Sequence, residues 1–231
     1  MKLRLILTIA VSSFFFTVKA QKPTDFELWT GASFKLKLNK KFKVDIEQQA
    51  RFNDTISALK KTFTELGLKY QMNKSIAFKV NYRFVIRPTK SNQNRISVDA
   101  YYHWDKKKFP LSFDYRLRFQ DTENVNSGKN FTYLRNKLSV KYNLSKLVDP
   151  TIAYEIFYRF NGKTEFRVTR LTIGFDWRLN KKMNLNTFYR LQNDININTP
   201  EKQHIVGVSF SYSLGLKKIL KKRAKKKAQK R

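Results

Sequence analysis

Two histidines and no cysteine limit the acid–base and metal chemistry open to these 231 residues. His103 shares one phase of its run with Ser97, Asp99 and Tyr101, the residue types a hydrolytic site uses. On an extended chain, residues i and i+2 stand about 6.5 Å apart along the backbone. One run therefore does not gather such groups, and partners would have to come from neighbouring elements. His103 is the sole anchor of a hydrolase reading, and the expectation is a protein that is not an enzyme. Without cysteine there is no disulfide, no thiolate metal centre and no thiol nucleophile. Two separated histidines give no metal-ligand spacing, so no metal or cofactor is expected.

What the sequence repeats is arginine. "QARF", "NYRF", "DYRLRF", "FYRF" and "FYRL" place Arg51, Arg83, Arg116, Arg159 and Arg190 at intervals of 31 to 43 residues. Each sits in a run whose alternate residues are apolar, and each falls on the opposite, polar phase. In Ser75–Arg87 the apolar set is Ile76, Phe78, Val80, Tyr82, Phe84 and Ile86, with Lys79, Asn81, Arg83 and Arg87 among the residues between. This is period two, the signature of strands with two unlike faces.

Such runs follow one another from Phe26 to Leu214 with no competing helical period. Between residues 42 and 192 the polar phase holds sixteen Lys/Arg against seven acids: Asp45, Glu47, Glu65, Asp99, Asp114, Glu155 and Asp176. Some pairing is expected along single strands, as for Glu47/Arg51 and Glu155/Arg159. The surplus of about nine cations would create a positive field, and low-dielectric walls would focus it on anions. The apolar phase carries a second row. Tyr70, Trp104, Tyr142, Trp177 and Tyr212 each fall at or next to a strand end, beside a tight connection or the final segment. Rings that are apolar in body and polar at the tip favour a membrane–water interface.

The connections alternate between tight, basic ones (39–41, 71–74, 105–108, 180–182) and longer ones (53–61, 88–94, 121–130, 193–202). They describe a meander with two unlike ends. In Glu165–Arg178 the apolar phase slips between Val168 and Leu171, which predicts a bulge.

The net charge is +31, from 48 Lys/Arg and 17 Asp/Glu. Part lies at the ends. Residues 1–20 read as a secretory signal, with Lys2 and Arg4 ahead of an apolar stretch and a small-residue cleavage site near Ala20. Residues 217–231 are a polybasic tail. Residues 21–216 still carry +18, from 35 basic and 17 acidic residues.

Alternation by itself suits a soluble basic barrel or sandwich as well as a membrane barrel. Runs of about 10 to 13 residues exceed ordinary globular strands and match a tilted bilayer crossing. The aromatic row and the unlike ends point the same way, and in a bilayer the sheet must close on itself. The expected fold is all-β: one antiparallel up-and-down transmembrane barrel of 10–12 strands. Phe42–Leu214 supplies ten strands. Phe26–Leu38 is an eleventh that breaks an even count, and reads equally as a short hairpin or as a strand entering from the barrel mouth.

The leader, the stretch "ELWTGASFKLKLNKKFKVDIEQQARFND" and the recurring Tyr-Arg-Phe hairpins resemble the uncharacterised outer-membrane barrel family catalogued as domain of unknown function 2490, over residues 21–216. The resemblance implies a barrel in a Gram-negative outer membrane and supplies no activity and no catalytic residues. The functional expectation is a narrow anion-preferring channel or a structural or assembly barrel. The alternatives are an outer-membrane lipid-modifying enzyme and a secreted basic barrel that binds polyanions. The expected partners are outer-membrane lipid and small anions or polyanions. Nucleic acid is not expected, since a secretory signal directs the chain away from it.

Overall fold

The computed structural model describes residues 24–106, 109–162 and 164–216. The expected signal segment, residues 1–20, and the basic tail, 217–231, lie outside the described residues. Eleven strands follow in order: β1 (Thr24–Lys37), β2 (Phe42–Asn53), β3 (Ala58–Gln71), β4 (Ile76–Ile86), β5 (Gln93–Asp105), β6 (Leu111–Asn124), β7 (Asn130–Tyr142), β8 (Val148–Arg159), β9 (Glu165–Arg178), β10 (Met183–Asp194) and β11 (Lys202–Gly215). Each pairs with its sequence neighbour antiparallel, and β1 closes the barrel against β11.

That closure is parallel, in one unbroken register from Thr24↔Lys202 to Lys37↔Gly215. The stretch left open by the sequence is therefore a full eleventh strand, and the all-antiparallel expectation gives way at this one seam. The reason is geometric. A meander with an odd number of strands brings its first and last strands together pointing the same way. Leaving β11 unpaired instead would expose a whole sheet edge. As a consequence β1 begins at the end of the barrel where β11 also begins, and both finish at the opposite end.

Local chemistry explains the turns. Asn39 Oδ1 accepts hydrogen bonds from the backbone N–H of Lys41 and Phe42, both at 2.8 Å. Asn73 does the same for Ser75 and Ile76, and Asn180 for Lys182 and Met183. Asparagine side chains that imitate the turn's own hydrogen bond account for the recurring Asn-Lys connections. The two ends are less unlike than the sequence suggests. Connections of four or five residues at one end face connections of four to seven at the other. The strands extend into stretches that read as loops: β3 starts at Ala58 and β6 runs to Asn124.

Two bulges interrupt the ladders. Between β8 and β9, Phe157 pairs with Val168 and Tyr158 with Phe166, leaving Arg167 extra. This is the predicted slip, a few residues earlier than its phase change suggested. Between β2 and β3, Arg51 pairs with Lys61 and Phe52 with Leu59, leaving Lys60 extra.

The polarity is that of a soluble barrel turned inside out. Ile96 is 59% exposed and Leu66, Ile86 and Ile173 are each 50% exposed on the outer surface. Inside, Asp99, Glu27, Asn81 and Asp149 are buried to 1% exposure or less. The apolar phase is thus not a core.

Candidate functional site

The barrel interior is held by carboxylates that each collect several donors. Asp99 on β5 receives Arg118 from β6, through Nη2 at 2.7 Å and through Nε. It also receives Asn81 Nδ2 at 3.1 Å and the Tyr101 hydroxyl at 2.9 Å. Glu155 on β8 gathers three arginines: Arg116 at 2.5 Å, Arg135 at 2.8 Å and Arg170 at 3.5 Å. Glu65 holds Arg83 at 2.6 Å. Lys79 on β4 reaches over β3 to Asp45 on β2, at 2.8 Å. It can do so because Gly67 lies beneath it: a Cβ there would stand 2.3 Å from Lys79 Cε. Nearer the tight-turn end, Arg178 meets Asp149 and Lys141 meets Asp176.

These pairs do not use up the cations. Among the described residues, Arg51, Lys61, Arg95, Lys137 and Arg190 face the interior with no carboxylate within 4.0 Å. They line one cavity of about 970 Å³. Aromatic rings on the same inner face support the arginines. The Arg51 guanidinium lies 3.5 Å from the centre of the Trp29 ring, with Arg190 at 5.0 Å and Arg170 at 5.7 Å from it. Arg83 lies 3.7 Å from the Phe63 ring, and Arg135 4.2 Å from Phe157. Trp29 is itself fixed, its indole N–H donating to Glu27 at 2.7 Å and its ring meeting Phe188 edge-on at 6.4 Å. Phe188 fits because Gly207 opposite has no side chain, since a Cβ there would lie 2.0 Å from Phe188 Cζ. A cation over an aromatic face is attracted by the ring quadrupole. The rings thus seat guanidinium groups without cancelling their charge.

Of the five recurring arginines, Arg51, Arg83, Arg116 and Arg190 line this cavity. Arg159 does not. It is the last residue of β8, 5.2 Å from Phe131 at the rim where the longer connections lie. The expected pairs Glu47/Arg51 and Glu155/Arg159 are not made. Four residues along a strand span about 13 Å, whereas directly opposed residues on adjacent strands lie about 5 Å apart. Glu155 accordingly bonds across strands, and Arg51 donates from Nε to Gln49 at 2.6 Å. Tyr70, Trp104, Tyr142, Trp177 and Tyr212 sit on the outer phase near the tight-turn end. Several are joined by neighbouring rings: Phe42–Tyr70 at 5.2 Å, Trp104–Phe113 at 5.4 Å and Phe34–Tyr212 at 6.0 Å. His103 Nδ1 stands 2.7 Å from Asp114 Oδ1, both half-exposed. Among the described residues no hydroxyl is hydrogen-bonded to His103.

Sequence reasoning passed over Trp29, Phe63, Glu27, Lys61 and Asp149. For Trp29 and Phe63 a signal existed, namely an aromatic residue on the charged phase. For Glu27 and Asp149 it did not, because one lies in the strand of unsettled role and the other in a stretch read as a connection.

A family model described as "Protein of unknown function (DUF2490)" matches residues 26–203. No curated protein matches the chain. A solved structure described as "Bacterial polysaccharide outer membrane secretin" superposes with a TM-score of 0.50 at 10% identity, over 75% of this chain and 64% of that one. A second, "Crystal structure of the siderophore receptor PirA from Pseudomonas aeruginosa", gives a TM-score of 0.25 at 12% identity, over 73% and 34%. The chain spans less than two thirds of either neighbour's length. At such identity the first likeness concerns the fold alone.

Proposed function

The chain belongs to the DUF2490 family of proteins of unknown function, and from that premise we propose that it crosses the outer membrane as a narrow barrel whose interior favours small anions. One observation carries the reading: an interior cavity of about 970 Å³ lined by Arg51, Lys61, Arg95, Lys137 and Arg190, none of which has a carboxylate within 4.0 Å among the described residues. Low-dielectric walls around uncompensated charge raise the local concentration of the opposite ion.

Membrane residence is supported by the outer surface. Strands of 11 to 14 residues, at about 3.3 Å per residue and a tilt near 45°, cover roughly 26–33 Å, the thickness of a bilayer's hydrocarbon core. In water the same surface would leave Leu66, Val80, Ile96 and Ile173 bare, which disfavours a secreted soluble barrel. The proposal assigns the chain no catalysis, for among the described residues the His103 ring is hydrogen-bonded to Asp114 and to no hydroxyl. Sedimentation with outer membranes and resistance to carbonate extraction test residence. Reversal potentials of the refolded barrel in a KCl gradient test selectivity, and a cation-selective sign would overturn it.

A second reading has its own observation. Glu155 with its three arginines and Asp99 with its four donors tie adjacent and next-but-one strands together along the inner wall, as in a closed structural barrel. Under that reading the wild type carries no current at all.

A further inference from the structure

Among the described residues, the three cavity-lining arginines without a carboxylate within 4.0 Å share a second feature. Arg51 donates from Nε to Gln49 Oε1 at 2.6 Å, Arg95 from Nε to Thr122 Oγ1 at 2.9 Å, and Arg190 from Nε to Thr172 Oγ1 at 2.9 Å. In each, a neutral acceptor holds the inner nitrogen and nothing among the described residues bonds the two terminal Nη groups. Arg170 is tethered in the same way, from Nε to Gln192 Oε1 at 2.6 Å, but its Nη1 stands 3.5 Å from Glu155. The other arginines of the two carboxylate clusters differ. Arg118, Arg135 and Arg116 commit Nη groups to Asp99 or Glu155. Nor are these free Nη atoms sealed away, since the buried guanidinium nitrogens without a partner are Nε of Arg116 and Nε of Arg159. They open on the cavity.

We infer that Arg51, Arg95 and Arg190 form an oxyanion grip, selecting phosphate, sulfate or carboxylate groups over halide. The inference rests on the anion-favouring reading of the lumen and adds the class of anion. A guanidinium presents N–H donors in a fixed planar fork that matches two oxygens of one oxyanion, whereas a spherical halide gains little from the fork. Tethering at Nε by an uncharged group fixes the plane and leaves the charge intact. The Trp29 ring holds Arg51 and Arg190 on a common support, so two forks are oriented before any anion arrives. Lys61 opposes Arg51 in the β2–β3 ladder and adds charge without a competing geometry. Thr122 and Thr172 accept hydrogen bonds and cannot neutralise. A purely structural arginine would be better served by an acid at either position.

Full-length protein refolded in non-ionic detergent separates this inference from the reading beneath it. The unfolding midpoint, read by heat-modifiable gel mobility, is compared in sodium sulfate, phosphate or acetate and in sodium chloride at matched ionic strength. Sulfate and phosphate are expected to raise the wild-type midpoint. The double variant Arg51→Lys with Arg190→Lys keeps the charge but loses both forks, and should respond about tenfold more weakly. Lys90→Gln, a cation in an outer connection, should respond as the wild type does. General salting effects act on all three alike, so the inference stands on the difference between them. Equal midpoints in sulfate and chloride for the wild type, or an undiminished response in the lysine variant, would overturn the grip. Anion preference itself is judged separately, by wild-type reversal potentials in KCl. A response that needs added phosphate-bearing lipid would assign the group to a headgroup and overturn the lumenal site. Should the double variant not refold, Arg95→Lys carries the same comparison.

Discussion

Glu155 and Arg51 lie within one interior and predict opposite outcomes when neutralised. Glu155→Gln keeps the shape but leaves Arg116, Arg135 and Arg170 without their counter-ion. Removing one partner of a buried ionic cluster costs about 3–5 kcal/mol, so the midpoint of urea unfolding should fall sharply. Arg51→Gln removes a cation that has no acid to satisfy, and it sits in a field of like charge. Its effect on the midpoint should be near zero or stabilising, while anion preference declines. A midpoint for Arg51→Gln as low as that for Glu155→Gln would mean Arg51 is structural. A third residue tests the packing beneath them. Gly207→Ala places a Cβ 2.0 Å from Phe188 Cζ, an overpacking that costs about 1–3 kcal/mol. The second change Phe188→Leu should recover most of it, because the two residues couple directly. Residue types at these positions are readable in the sequence, but their partners are not. An i, i+4 pair on a strand looks plausible as text and is too far apart as geometry. What decides the pairing is register, which is set across strands.

Among the elements, the connection 54–57 carries the clearest strain. Asp54, Thr55 and Ile56 all have positive φ, at 53°, 54° and 71°. Asparagine or aspartate tolerates that region, but a β-branched residue does not. The turn is held because Asp54 N–H donates to Asp25 of β1 at 2.8 Å and Ser57 folds back onto Asp54. Ile56→Gly should raise stability by about 0.5–1 kcal/mol, seen as a later unfolding midpoint, since it relieves left-handed strain at some entropic cost. A lower midpoint would mean the Ile56 side chain contributes more than its backbone costs. Period-two alternation made nearly every strand legible, and even the β9 bulge appeared as a slip of phase. The β3 bulge at Lys60 did not, because "SALKK" reads equally well as loop. The absorbed residue leaves Lys60 free to reach Glu27, a contact no pattern of alternation encodes.

At the scale of the whole barrel, the odd strand count fixes which parts of the chain share an end. Thr24, where β1 begins, lies at the same end as the connection 125–129, and the turn 179–182 lies at the other. The two ends also differ in charge. The five turns at the 179–182 end hold nine lysines and no acid, whereas the five connections at the opposite end hold four basic residues with Asp54 and Glu201. The lysine-rich end is also where the Tyr/Trp row meets the apolar belt, and β11 finishes there ahead of the basic sequence 217–231. Lysines just beyond such a row suit anionic headgroups, each worth about 1 kcal/mol near a charged leaflet. The connections at this end are also the shorter ones, of four or five residues, and outer-membrane barrels keep short turns on the periplasmic side, so we expect this end to face the periplasm. Single cysteines at Ser127, Lys181 and Thr24 test the arrangement on intact cells with a membrane-impermeant maleimide. Ser127→Cys and Thr24→Cys should label together, and Lys181→Cys only after permeabilisation. Labelling of Lys181→Cys alone would invert the orientation yet keep the barrel. Labelling that separates Thr24 from Ser127 would be more damaging, because β1 could then no longer run parallel to β11. The Trp29 support, carried on β1 and packed against Phe188 of β10, would lose its place in the interior with it.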